Sequence, residues 1–253
     1  MPAMGVLFLA MGMASCVNRI NGLDFTPGEK VTESRPHKGF ERIVINGSPT
    51  VYYTQADSFS VTVKGPSNIV EDILTAVDGK QLTIRNRGKI GVFNFSVHDD
   101  DEVGVYVTSP DLTAINLNGS GDFVVRQKVD TDKLSIVLRG SGDIDFEDII
   151  CDDCTTELIG SGDIDIKRLD TQNSTISLIG SGDISVKQWN TRATDVMLKG
   201  SGDISVDFVE GCQAAECQLT GSGDISLKGV LGHYSGQKRG SGEIDTEKLS
   251  VEK

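Results

Sequence analysis

The strongest constraint on this chain is a repeat. Gly-Ser-Gly-Asp occurs at residues 119, 140, 160, 180, 200 and 221, and Gly-Ser-Gly-Glu at 240, so successive copies lie 19 to 21 residues apart. With the first Gly of each copy as position 0, apolar residues recur in columns. Position +4 is Phe123, Ile144, Ile164, Ile184, Ile204, Ile225 and Ile244. Position +6 runs from Val125 and Phe146 through Ile166, Val186 and Val206 to Leu227 and Thr246. Position −2 is Leu117, Leu138, Leu158, Leu178, Leu198 and Leu219, and position −4 is Ile115, Ile136, Thr156, Ile176, Val196 and Cys217. Polar residues fill the places between. Alternation of this kind is a strand with one buried face. A further inward column is expected near +9, at Val129, Ile149, Leu169, Trp189, Val209, Val230 and Leu249.

A unit of about twenty residues is too short to hold a crossover helix between parallel strands. It fits one coil of a solenoid, whose identical columns stack at about 4.8 Å. The fold class expected is all-β: a right-handed single-stranded parallel β-helix (β-solenoid) with about 20 residues per coil, preceded by a less regular β-rich part. The glycines at the corners (Gly140, Gly142, Gly160, Gly162, Gly180, Gly182, Gly200 and Gly202 among them) would supply the positive φ that a sharp turn asks for. All six prolines precede residue 111. This suits a second half in which every amide is needed for the ladder.

The first half alternates less regularly, over 41–45, 51–53, 59–63, 81–84 and 103–107. Asn46-Gly47-Ser48-Pro49 reads as a degenerate first corner, with Ile43 and Ile45 before it and Val51 and Tyr53 after. The solenoid is therefore expected to begin near residue 40 and to be interrupted by an insertion up to about 108. Residues 66–74 read as one short helix, with Pro66 near its start. The organisation expected is a signal peptide over 1–16, a flexible tether over 17–38, the irregular part over 39–110 and the regular solenoid over 111–253.

The N-terminal assignment rests on a short apolar run at residues 5–14, which fits the core of a secretory signal. It ends in Met13-Ala14-Ser15-Cys16, which resembles a bacterial lipobox. That resemblance implies cleavage before Cys16 and a diacylglycerol on its thiol, which would hold the protein to a membrane. No run of 18 apolar residues occurs, so no membrane-spanning helix is expected.

Further residues carry a family likeness. The lipobox-like start, Phe40-Glu41-Arg42-Ile43, Val77-Asp78-Gly79-Lys80-Gln81-Leu82-Thr83-Ile84 and Pro110-Asp111-Leu112 lead into the repeated corners. Together they resemble the head GIN domain family of putative auto-transporter adhesins, over about residues 38–250. The resemblance implies a β-helix-like fold and a place in the Gram-negative cell envelope. It carries no catalytic residues.

Candidate sites come from the polar columns. Asp122, Asp143, Asp163, Asp183, Asp203, Asp224 and Glu243 form one row. Carboxylates near 5 Å repel by about 1 kcal/mol in water, so something must offset that. Turn amides would do so, and Ca²⁺ ligated by Asp143, Asp163, Asp183, Asp203 and Asp224 is the weaker alternative. Calcium-binding solenoids repeat every nine residues and this one does not, so capped turns are the preferred reading and no metal is assigned. A second row, Asp145, Asp165 and Asp245, is interrupted by Ser185, Ser205 and Ser226. The acidic run His98-Asp99-Asp100-Asp101-Glu102 lacks calcium-loop spacing and reads as a solvated charge run.

The cysteines are Cys16, Cys151, Cys154, Cys212 and Cys217. Cys151-Asp152-Asp153-Cys154 invites a zinc or redox reading. Cys151 and Cys212 share a phase three coils apart, about 14 Å, which excludes one tetrahedral site. Packing is the preferred role, and bridges 151–154 and 212–217 stay open. Trp189 is placed in the core.

The 24 Lys and Arg against 37 Asp and Glu give a formal charge of −13. Such a surface repels a phosphate backbone, so nucleic acid is not an expected partner. No nucleophile–base pair stands out. The function expected is a non-enzymatic, lipid-anchored envelope protein in the outer membrane, without cofactor. Its β-solenoid would serve as an adhesin, scaffold or binding surface for a glycan or protein ligand. The alternative is a carbohydrate-active enzyme of polysaccharide-lyase type on a β-helix.

Overall fold

The computed structural model describes residues 18–20, 23–25, 28–88 and 103–251. The apolar run, Cys16 and the 98–102 acidic run lie outside the described residues. Two short strands, β1 (Asn18–Ile20) and β2 (Leu23–Phe25), pair antiparallel with each other. The other strands form one continuous ladder.

Its regular part begins with β10 (Ala114–Gly119), β11 (Phe123–Asp130) and β12 (Lys133–Gly140). It continues through β13 (Asp143–Gly160), β14 (Asp163–Gly180), β15 (Asp183–Trp189), β16 (Thr191–Gly200) and β17 (Asp203–Gly221). It ends with β18 (Ile225–Gly240) and β19 (Ile244–Val251). All pairings between these strands are parallel, and like residues face like. Ile144 pairs with Ile164 and Ile164 with Ile184, while Leu158 pairs with Leu178 and Leu178 with Leu198. This is the β-solenoid of about seven turns read from the repeat. The stacked Ile and Leu columns are its core, fully buried along most of the rod. Each such side chain contributes about 1.5–3 kcal/mol by leaving water.

The first half is also solenoid, threaded out of order. β4 (Arg42–Gly47) and β5 (Val51–Gln55) form a coil whose corner is Gly47, in register with Gly119. The chain then leaves as β6 (Ser60–Pro66), a helical turn α1 (Ser67–Val70) and β7 (Ile73–Asp78). It next lays down β8 (Gln81–Asn86) and β9 (Gly104–Ser109), parallel to β4 and β5 on their outer side. So the coil at 81–109 stacks outside the coil at 42–55, and β10–β11 stack on its inner side. Antiparallel strands close this end: β7 on β8, and β6 on β9.

The expected tether ends early. β3 (Lys30–Arg35) pairs antiparallel with β6 over six residues, because the edge of β6 offers it a free ladder. It is mostly exposed and carries Lys30, Glu33 and Arg35, charges that blunt an edge strand. The far end is blunted differently. The Cys217 and Leu219 columns run on into Gly236 and Lys238. An exposed lysine in a core column discourages a further strand from stacking there.

The inward column near +9 needs correction in the later coils. Gln188 and Phe208 take the inward places, at 0% and 1% exposure, while Val209 and Val230 are 47% and 39% exposed. Trp189 is half-buried and outside the core. The cause is a one-residue slip in register between Ile166 and Leu169, where Leu169 pairs with Gln188. Asn190 (φ 55) and Gly211 (φ 87) then turn the chain in the left-handed region, which Asn and Gly tolerate best.

Candidate functional site

Each coil turns at the Gly-Ser-Gly corner and at two further bends where its alternation breaks, at 147–148 and 152–153 in β13. At the Gly-Ser-Gly corner the first glycine has φ near +140, for example 141 at Gly140 and 142 at Gly160. A Cβ on Gly160 would run into the carbonyl oxygen of Gly140, and one on Gly162 into that of Gly142. Gly180, Gly182, Gly200 and Gly202 stand in the same relation to the coil before them. That carbonyl also accepts the serine amide of the next coil, 2.9 Å from Ser161 N to Gly140 O. Close stacking of backbone on backbone leaves no room for a side chain.

The aspartate row lies just past this corner. Asp163 N donates to Asp143 Oδ1 at 3.2 Å, Asp183 N to Asp163 Oδ1 at 3.0 Å and Asp203 N to Asp183 Oδ1 at 3.0 Å. Asp224 N and Glu243 N continue the pattern onto Asp203 and Asp224, at 2.9 and 2.7 Å. Asp122 Oδ1 accepts the Asp143 amide at 3.3 Å. Each aspartate carboxylate of the row thus receives one amide from the next coil, and Glu243 ends the series as a donor. At Asp143, partial burial outweighs that bond, and with the charges of Asp122, Asp163 and Asp145 it pushes the carboxyl above its ordinary value. Among the described residues, no group of three or more His, Cys, Asp or Glu is placed to hold a metal ion.

A second corner, the bend around Asp152 and Asp153 in β13, opens into a cleft of about 260 Å³. Its wall carries the carboxylates of Asp130, Asp132, Asp152 and Asp170 from three successive coils. Side-chain rungs between coils fix several of them. Gln172 Nε2 donates to Asp152 Oδ1 at 2.8 Å, and Asn190 Nδ2 to both oxygens of Asp170 at 3.0 and 2.9 Å. Beside this run Lys133, Asp153, Asn173 and Arg192 in turn, joined at 2.8, 2.9 and 3.2 Å. Arg168 flanks the cleft. Its guanidinium pairs with Asp148 at 3.4 Å and Asp170 at 3.3 Å, and lies 4.9 Å from the centre of the Trp189 ring.

Cys151 lines this cleft at 6% exposure, and Cys154 lies beneath at 2%. Cys151, Thr171, Thr191 and Cys212 fill one inward column, so Thr171 and Thr191 separate the two cysteines. The Cys151 thiol faces Thr171 Oγ1 at 3.7 Å, and that hydroxyl donates to the Asp152 and Asn173 carbonyls at 3.1 Å. The thiol of Cys154 beside it lowers the pKa of Cys151. Cys154 is driven the other way, first by Cys151 and then by its own burial. Burial raises Cys212 too, and pushes Cys217 up to about 12.

The arrangement is a wall of acceptors, amides and hydroxyls carried mostly on strands. The sequence singled out the Cys151-Asp152-Asp153-Cys154 run but not Asp130, Asp132, Asp170, Gln172 and Asn190. Those five share no single polar type from coil to coil. Only the recurrence of Asp at the bend could have marked them.

The chain matches the family described as "Putative auto-transporter adhesin, head GIN domain" over residues 39–214 and 174–253. No curated protein matches it. Among solved structures, a putative adhesin from Bacteroides fragilis is 27% identical with a TM-score of 0.75, covering 85% of this chain and 96% of that one. A putative lipid binding protein from Parabacteroides distasonis is 25% identical with a TM-score of 0.70, covering 86% and 98%. A putative adhesin from the same species, 20% identical with a TM-score of 0.62 and covering 88% and 98%, shares the fold.

Proposed function

The chain belongs to the head GIN domain family of putative auto-transporter adhesins, and on that premise we propose that it is a non-enzymatic binding module of the cell envelope. In this reading Cys16 carries the lipid that anchors it to the outer membrane. The solenoid then presents the second-corner cleft to a glycan. The observation that carries the ligand class is the cleft lining. Asp152 and Asp170 are pinned by Gln172 and Asn190, so acceptors and amides stand at fixed spacing, as a hydroxyl-rich ligand needs. Asp152, Asp170 and Gln172 sit on strands and Asn190 at the tight link between β15 and β16, which keeps that spacing exact enough to select. A lipid tail suits this wall poorly, since burying four carboxylates against hydrocarbon is costly. The name of the Parabacteroides protein therefore does not transfer to this cleft.

Two measurements test the reading. A panel of neutral glycans should show binding without cleavage, and turnover of any member would replace the binding module with an enzyme. Cys16→Ala should release the protein from the membrane fraction, because the acyl chains supply the anchor. Unchanged membrane fractionation of that variant contradicts the lipid anchor while leaving the cleft untouched.

A further inference from the structure

Two free thiols occupy the two inward places of one corner, and only one of them meets the outside. Cys151 lines the acidic cleft, while Cys154 is sealed behind it. Elsewhere the corner uses other side chains in these two places: Thr171 with Ser174, Thr191 with Thr194, Cys212 with Ala215. The hydroxyl and alanine pairs fill the same space, so packing alone does not call for two thiols at Cys151 and Cys154. Nor are all four cysteines alike. Cys212 and Cys217 lie on other coils and line no part of this cleft.

We propose that Cys151 and Cys154 are a thiol–disulfide exchange pair, reached through the second-corner cleft, whose oxidant is a small disulfide carrying positive charge. The charge preference follows from the wall, where four carboxylates surround the approach to Cys151. The cations beside the wall are all engaged: Lys128 by Asp130 at 3.5 Å, Lys133 by Asp153 at 2.8 Å, Arg168 by Asp170 at 3.3 Å and Arg192 by Asn173 at 3.2 Å. A dication such as cystamine is drawn to such a wall, and an anion such as glutathione disulfide is repelled.

The chemistry balances within the pair and the oxidant. Cys151 loses its proton and its sulfur attacks one sulfur of the small disulfide. The S–S bond breaks, one thiolate leaves, and it takes up that proton. Cys154 then loses its proton and attacks the Cys151 sulfur of the mixed disulfide, expelling the second thiolate, which is protonated in turn. Two protein thiols are oxidised to one disulfide, and the small disulfide is reduced to two thiols. The hydrogen bond from Cys154 favours the Cys151 thiolate, so the outer sulfur attacks and the buried one resolves. This pair does not depend on a glycan occupying the cleft.

The test is oxidation of the reduced, folded chain by cystamine and by glutathione disulfide, followed by alkylation and mass mapping of the thiols. Rates are referred to those of N-acetylcysteine with the same two disulfides. Cys151 and Cys154 should lose their alkylatable thiols together while Cys212 and Cys217 keep theirs. The referred rate with cystamine should exceed that with glutathione disulfide at least about ten-fold at low salt. The gap should close near 1 M salt, where the screening length falls to about 3 Å. Cys154→Ser should accumulate the mixed disulfide at Cys151. Persistence of both thiols, earlier reaction at Cys212 or Cys217, or equal referred rates for the two oxidants would overturn the proposal. The wild-type measurement decides it even if the serine variant fails to fold.

Discussion

At the scale of single residues, the corner glycines and the aspartate row answer to different forces. Gly160 is fixed by contact: its φ of 142 and the Gly140 carbonyl both exclude a Cβ. Gly160→Ala should therefore cost about 2–4 kcal/mol in denaturant unfolding. Gly39→Ala, at φ 76 with open space around the Cβ, should cost about 1 kcal/mol or less. Equal costs would mean that stacking does not select glycine. Asp143 is governed by burial and like charge, which raise its carboxyl above the ordinary 3.8. The offset of repulsion by turn amides, expected for the whole row, is outweighed at this position. A group raised on folding favours the folded state below its unfolded value, and that contribution is lost as pH rises through the folded value. At neutral pH Asp143 thus opposes folding. Asp143→Asn, whose amide oxygen can still accept the Asp163 amide, should match or exceed the wild-type Tm at pH 7. The advantage should disappear below about pH 4, near the ordinary carboxylate value. A lower Tm at pH 7 would show that charge on the row stabilises it.

At the scale of strands and corners, the period-two columns were legible because each strand repeats one burial pattern against an identical neighbour. Ile144, Ile164 and Ile184 could be placed from the sequence because nothing interrupts the spacing between them. Trp189, Val209 and Val230 were misplaced because Asn190 and Gly211 shift the bend, and a slip of one residue swaps inside for outside. The corrected phase predicts a contrast. Phe208→Ala, a fully buried truncation, should cost about 3–5 kcal/mol. Trp189→Ala, which loses a half-exposed ring and its contact with Arg168, should cost clearly less. The reverse order in chemical denaturation would restore Trp189 to the core. The order of coils was hidden for another reason. β8 pairs with β4 across 39 residues, from Arg42 to Gln81, and no local pattern states which coil a strand will join. The cleft escaped notice because outward residues at a bend obey no period. Asp130, Asp152 and Gln172 become a site only when coils stack.

At the scale of the whole molecule, the rod is a one-dimensional stack whose ends are closed by different means. Antiparallel strands and the charged β3 cover one end, and Lys238 interrupts a core column at the other. Between them the backbone of each coil is held on both sides, so the outer surface is the part free to vary. The Gly-Ser-Gly corner is nearly invariant along the rod because stacking fixes it. The second corner changes from coil to coil, which gives one cleft a composition that its neighbours lack. The working surface should therefore be the second corner and not the aspartate row. The most direct measurement is a calorimetric titration of the best-bound neutral glycan into wild-type protein, Asn190→Ala and Asp183→Asn. The account predicts that Asn190→Ala, which frees Asp170 from its rung, weakens binding at least about ten-fold, the equivalent of 1.4 kcal/mol. It also predicts that Asp183→Asn binds as the wild type does. Undiminished binding by Asn190→Ala, with loss in Asp183→Asn, would move the function to the aspartate row and contradict the account.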